Sequence, residues 1–347
     1  MNRVGKRFEE TAAASGMEKV SGWWQSVVAA DVDGDGDMDL IAGNAGTNSV
    51  HRAPVAGFSV RPEGAAGRMF LMTEKSGDAL IPERSPAVLA AAMPSLSGRF
   101  KNYAALAAAT AEEIAGRDLL DAAVKLEAAT LQSGVFLNTP GTEDQPVRFT
   151  FVPLPVEAQL APVFGIAVTD FDGDADNDLV LAQNVRNSPL GEGHRDGGLC
   201  VLLLNDGKGQ FAAMRPAQSG LASHAEHRAC TVADISFDGR PDVVMSVHRG
   251  GLAAFTNTAA KAYPILRVNL PPSRAPGALV MIERTGEPSQ RAEYACGGGW
   301  LSQNAPALFF GLGKGVRKGV VTVRWPDGRL WMQSFDESRL TITAPAK

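Results

Sequence analysis

Thirteen of the 38 acidic residues of this chain fall within three nine-residue windows. They read Asp31-Val-Asp33-Gly-Asp35-Gly-Asp37-Met-Asp39, Asp170-Phe-Asp172-Gly-Asp174-Ala-Asp176-Asn-Asp178 and Asp234-Ile-Ser236-Phe-Asp238-Gly-Arg-Pro-Asp242. Each keeps Asp at positions one, five and nine. Carboxylates crowded this closely repel one another, and a hard dication relieves the repulsion by drawing their oxygens to roughly 2.3–2.6 Å. Magnesium demands an octahedron with several waters, and zinc prefers His or Cys, so an oxygen-only loop favours Ca2+. The expected cofactor is calcium at two sites, with a third, weaker one. The third window carries Ser236 at position three and Phe237 where the others have Gly. Carboxylates saturated by calcium have depressed pKa values and donate protons poorly, so their expected role is mechanical rather than catalytic. Asp-Gly clusters also make plain turns, but three windows in one frame weigh against that reading.

Such loops need rigid flanks. An EF-hand would place a bidentate Glu at position twelve and a helix on each side. Position twelve here is Ala42, Leu181 and Met245. Short apolar, β-rich segments lie before and after each window, such as Gly165-Ile-Ala-Val and Leu179-Val-Leu-Ala. The pattern is strand, calcium loop, strand. The 64 residues from Asp170 to Asp234 suit one four-stranded propeller blade, and the 139 from Asp31 to Asp170 suit more than one blade plus an insertion. Within that gap, Phe58-Ser-Val, the loop from Arg61 to Gly67 and Met69-Phe-Leu-Met predict a blade without metal. Val201-Leu-Leu-Leu and Gln210-Phe flank Asn205-Asp-Gly-Lys-Gly, a hairpin turn. Residues of about 83–121 are Ala- and Leu-rich and predict a small helical insertion, with a capping box at Thr110-Ala-Glu-Glu113. From about 262 the acidic loops stop, and β-rich runs such as Leu266-Arg-Val-Asn and Val320-Val-Thr-Val predict a separate antiparallel β domain. The expected division is 1–261 for the propeller region and 262–347 for the β domain.

Composition narrows the function. Of 347 residues, 45% are hydrophobic and 20% charged, an ordinary globular balance. No apolar run approaches the roughly 20 residues of a membrane span. A net charge of -5 without clustered Lys and Arg argues against nucleic acid. Cys200, Cys230 and Cys296 are too few and too dispersed for a disulfide framework, and they read as buried thiols, a Cys200–Cys230 bridge being the less favoured alternative.

The Asp-x-Asp-Gly-Asp loops between strands resemble the FG-GAP/VCBS repeats of integrin-α-type propellers, as do Trp23-Trp24 and Gly43-Asn44-Ala-Gly-Thr-Asn48-Ser. Gly297-Gly-Gly-Trp-Leu-Ser-Gln303, Phe310-Gly-Leu-Gly313 and Val323-Arg-Trp-Pro-Asp-Gly328 resemble the ASPIC/UnbV domain of the cartilage acidic protein family and its bacterial relatives. The resemblance implies a mainly β fold: integrin-α-like propeller blades, a helical insertion and a C-terminal antiparallel β domain. It further implies a calcium-binding, non-enzymatic protein at the cell surface or outside the cell, with an adhesive or binding role toward a protein or glycan. Departures from the family are the absence of an export signal, a second blade without acids, and four blades where six or seven are usual. They leave open a truncated start or an incomplete propeller.

An enzyme would need a nucleophile, base or open metal site. Neither a Gly-x-Ser-x-Gly elbow, a His-Glu-x-x-His pair nor a phosphate loop is present. The Gly-rich segment 191–198 joins two strands, which disfavours a dinucleotide site. It carries Glu192, His194, Arg195 and Asp196, the acid/base cluster that an alternative, a carbohydrate-active enzyme or accessory module, would use. His224, His227 and Cys230 have weak metal spacing and read better as a loop and strand start. Trp300 and Trp331 are core anchors or sugar platforms.

Overall fold

In the computed structural model, which describes residues 9–61, 68–83, 85–141, 147–186, 193–259, 263–298 and 300–346, each acidic window links two antiparallel strands in one register. The first connects β1 (Ser26–Ala30) to β2 (Asp39–Gly43). Between these and the next two strands of the same sheet lie β3 (Val55–Val60), β4 (Met69–Ser76), β5 (Ala79–Pro82) and β6 (Val124–Ala128). The sheet is completed by β7 (Gly134–Thr139) and β8 (Arg148–Pro153), in the order β1-β2-β7-β8. The second window joins β9 (Val163–Thr169) to β10 (Asp178–Gln183), followed by β11 (Val201–Asn205) and β12 (Phe211–Ala213) in a four-stranded meander. The third joins β13 (His227–Ala233) to β14 (Asp242–Val247), with β15 (Leu252–Phe255) completing a three-stranded sheet. In every case the residue before the window pairs with its ninth: Ala30 with Asp39, Thr169 with Asp178, Ala233 with Asp242.

These three sheets are blades of an incomplete, integrin-like propeller within a mainly β chain. The first strand of the middle blade, β9, packs against both β1 and β13. Ile41, Leu179, Leu181 and Leu203 are fully buried between the first two blades, each worth roughly 1.5–3 kcal/mol of transfer free energy. All six residues of β10 are buried, an apolar run over 179–182 covered on both faces and bounded by the buried polar Asp178 and Gln183.

The expectation of a metal-free second blade is corrected by this topology. Phe58 and Leu71 pair across β3 and β4, but their sheet has the order β5-β4-β3-β6 and is nested inside the first blade, between β2 and β7. Its inner face meets the predicted helical insertion, a run of short helices from Pro86–Ala92 to Arg117–Asp121, around Leu71, Leu89, Leu96 and Ile114. The sheet and the helices thus form one inserted unit with its own core. The Thr110 capping box is formed. Of the loop expected between Arg61 and Gly67, residues 62–67 lie outside the described residues.

The C-terminal segment contributes β16 (Ile265–Asn269), β17 (Leu279–Glu283), β18 (Gln290–Glu293), β19 (Ala307–Gly311), β20 (Gly319–Arg324), β21 (Leu330–Phe335) and β22 (Thr341–Thr343). They form two sheets, β19-β16-β22 and β18-β17-β20-β21, around Leu266, Val280, Val321 and Trp325. The Trp325-Pro-Asp-Gly turn links β20 to β21, with Gly328 N–H donating to Trp325 O at 2.9 Å. This segment also shares a core with the blades, because Ile265, Ala307 and Phe309 pack beside Phe171, Val232 and Met245. The boundary expected at 261/262 falls on residues outside those described.

Candidate metal centres on the acidic loops

The loops take their shape from backbone chemistry. Positions four and six adopt left-handed φ in each: Gly34 and Gly36, Gly173 and Ala175, Phe237 and Gly239. Glycine does this freely; Ala175 and Phe237 pay a steric penalty of roughly 1–2 kcal/mol. Successive aspartates then accept hydrogen bonds from the amide two residues on, as when Asp37 N–H donates to Asp35 (2.8 Å) and Asp176 N–H to Asp174 (3.0 Å).

The ninth Asp of each loop is a keystone. Asp39, Asp178 and Asp242 are buried. One oxygen of each accepts from the second residue of its own loop: Val32 (3.0 Å), Phe171 (2.9 Å) and Ile235 (2.9 Å). The other accepts from the backbone amide of an Asn within two residues of the end of the third strand: Asn138 (2.7 Å), Asn205 (3.0 Å) and Asn257 (2.7 Å). Two of these Asn side chains also reach the preceding blade, Asn205 donating to Val32 O (2.8 Å) and Asn257 to Phe171 O (2.8 Å). Sequence reasoning missed these three residues; the recurring Asn after an apolar third strand was the available signal. Replacing Asn205 with Ala removes the side-chain donor to Asn177 O and one of the two donors to Val32 O, which Gly209 N–H also serves at 3.0 Å, and it is expected to lower stability by about 1–3 kcal/mol in a urea unfolding curve.

The carboxylates converge in two of the three loops. Asp31, Asp33 and Asp39 offer oxygens within 4.8 Å of one another, as do Asp170, Asp172 and Asp174. Asp35 instead supports the turn, Asp37 lies 3.8 Å from Arg291, and Asp176 faces Gly207 and Asp206. Asp178 serves as keystone outside its cluster. In the third loop, Asp234, Asp238 and Asp242 form no such cluster among the described residues. There Ser236 N–H donates to Asp242 at 2.9 Å, Asp238 accepts from Arg240 N–H at 2.9 Å, and Asp234 is ion-paired with Arg267.

Burial, reinforced by neighbouring carboxylates, pushes Asp39 and Asp174 up to about 6, Asp170 to about 7 and Asp178 to about 8. Asp31 and Asp33 are raised for the same reason. No Lys or Arg ion pair reaches Asp170, Asp172 or Asp174 among the described residues. Stacked, desolvated carboxylates of this kind are the donor set a hard dication fits, and two clusters are able to hold one.

The pH dependence has a definite sign. The folded values of Asp170 and Asp178 lie above the unfolded value of about 4, so the folded chain binds more protons across the interval between. This contribution is complete below about pH 4 and is lost as pH rises to about 8. In EDTA the melting temperature is therefore expected to fall across that interval, and calcium, which favours the ionised carboxylates, is expected to flatten the fall. Melting curves at several pH values check it, and a rise with pH in EDTA contradicts it.

The other expected residues are placed as follows. In the Gly-rich segment, His194 Nδ1 lies 2.6 Å from Arg186 O and Asp196 pairs with Arg186 at 3.3 Å, while Glu192 lies outside the described residues. His227 is buried against Ser223 Oγ at 2.8 Å, at the start of β13. Cys200 and Cys230 are buried free thiols, whereas Cys296, also expected to be buried, is exposed. Trp300 sits edge-on to Phe164 at 5.1 Å, and Trp331 packs on the C-terminal core.

No curated protein matches the chain at a significant level. Three family models do match segments of it. The FG-GAP repeat covers residues 23–55, the first acidic loop and its strands. An FG-GAP-like repeat covers 170–245, from the second loop through the third, and ASPIC and UnbV covers 271–339. In chain order, then, this is an FG-GAP repeat protein with a C-terminal ASPIC/UnbV domain.

Proposed function

We propose that the protein is a non-enzymatic scaffold, stabilised by calcium on its first two acidic loops, that binds a protein or glycan partner at the cell surface or outside the cell. The observation that carries this reading is the pair of converging carboxylate clusters, one on each of the two equivalent strand-connecting loops of the first two blades. The family matches support a repeat scaffold of integrin type. Calcium adds stability by mass action. At an affinity of about 0.1 mM this is worth about 1.4 kcal/mol per site in ~1 mM calcium and almost nothing in micromolar calcium, which supports an exported setting.

In the site described, the chain's own groups hold and orient. Asp31, Asp33 and Asp39, and Asp170, Asp172 and Asp174, would hold the ions, which would supply charge neutralisation. The keystone aspartates and their Asn partners hold each loop to its own blade, and Asn205 and Asn257 join it to the next. A glycan array probed with the purified protein in calcium and in EDTA tests the reading. Calcium-dependent retention without product supports it. Turnover of a retained glycan that is lost in His194→Ala overturns it in favour of a carbohydrate-active enzyme.

A further inference from the structure

All three acidic loops meet the C-terminal segment, and each meets it differently. The first has Arg291 of β18 beside Gly36 and Asp37. The second has Gly311 of β19 against Asp170, and Gly313 N–H donating to Gly173 O at 2.8 Å. The third receives the guanidinium of Arg267, from β16, directly on Asp234.

We infer that the third loop is not a metal site: Arg267 is its resident cation, and the loop is a calcium-independent clasp holding the C-terminal segment to the blades. This goes beyond the calcium reading of the first two loops. Asp234 occupies position one, equivalent to Asp31 and Asp170, and its side chain is fully buried. Its Oδ1 accepts from Asp238 N–H at 3.1 Å, and its Oδ2 accepts from Gly239 N–H at 3.0 Å and from Arg267. Both oxygens accept from backbone N–H groups, as those of Asp170 do, and it is the guanidinium on Oδ2 that sets Asp234 apart.

The charge count agrees. The first two loops each hold five aspartates. The third holds three, and Arg240 replaces the Asp at position seven, donating to Ala259 O at 2.5 Å. Three carboxylates, with Arg240 in the loop itself and Arg267 bonded to Asp234, carry little net charge to attract a dication, whereas a buried carboxylate already bonded to a guanidinium resists losing it. Arg267 is held in place as well. Its Nε donates to Asn269 Oδ1 at 2.8 Å, its backbone N–H donates to Leu340 O at 2.8 Å, and β16 is paired on both sides within its sheet. A dication entering this loop would have to displace a side chain fixed by the sheet that carries it.

Calorimetric calcium titration and melting of the full chain, with and without EDTA, test the inference. Wild type is expected to bind two ions. Asp234→Asn and Arg267→Gln are each expected to leave that count unchanged and to lower the melting temperature by roughly 6 °C or more, equally in calcium and in EDTA. The double variant is expected to melt no lower than the worse single one, because the two residues act through one bond. Three ions in wild type, or the loss of one ion in Asp234→Asn, overturns the inference. So does additivity of the two substitutions in EDTA. Should the single variants fail to fold, the ion count of wild type and of Arg267→Lys, expected to be two in both, still decides. A wild type that binds no calcium at all overturns the proposed function, while the coupling measured in EDTA continues to report on the clasp.

Discussion

Moved from millimolar calcium into EDTA, the protein is expected to melt roughly 5 °C lower, with the loss divided between the first two loops. Two sites at about 1.4 kcal/mol each give about 3 kcal/mol, and a chain of this length shifts by about 2 °C per kcal/mol. The proposed gain arises because calcium would bind the folded arrangement of Asp31, Asp33 and Asp39, and of Asp170, Asp172 and Asp174, and an unfolded chain keeps neither cluster together. Asp33→Ala and Asp172→Ala should each abolish one heat of binding in calorimetry, whereas Asp238→Ala should leave both. A melting temperature indifferent to EDTA, with no heat on titration, would remove calcium from the account of this fold.

A larger effect is expected from a residue with no charge. A Cβ on Gly311 would lie 1.9 Å from Asp170 Oδ2 and about 2.5 Å from the backbone of Gly173. Neither neighbour is free to retreat, since Asp170 is buried and bonded to Gly173 N–H and Ala175 N–H. Gly311→Val should therefore prise β19 from the second loop, lowering stability by about 3 kcal/mol or more and weakening calcium binding at that loop. Gly98→Ala is the matched control. Nothing lies within 4 Å of its added methyl, it sits in the helix Leu96–Arg99, and it should stabilise by roughly 0.5–1 kcal/mol. Urea unfolding of both variants measures the contrast, and a Gly311→Val protein as stable as wild type would show that β19 is not seated on the second loop.

Much of the architecture is legible in the sequence because it is local. Strand, acidic loop, strand is encoded within about twenty residues by apolar runs, glycines at positions needing left-handed φ and the Asp spacing. The Asn205-Asp-Gly hairpin, the Thr110 capping box and the helices after residue 85 follow from equally short signals. The nesting of one unit inside the first blade was not readable. Phe58 and Leu71 look like blade strands, and only the pairing of β2 with β7 across a long insertion reveals that they belong to another sheet.

By itself the sequence determined where the acidic loops lie, which strands flank them and which family repeats they belong to, since backbone conformation and turn chemistry depend on neighbours along the chain. Tertiary structure alone decided which loops keep converging, unpaired carboxylates and which has its charge answered. Arg267 is 33 residues from Asp234, and Gly311 far from Asp170, with no spacing rule linking either pair. Coulomb attraction and steric exclusion act through space, so their partners become visible only once the sheets are packed.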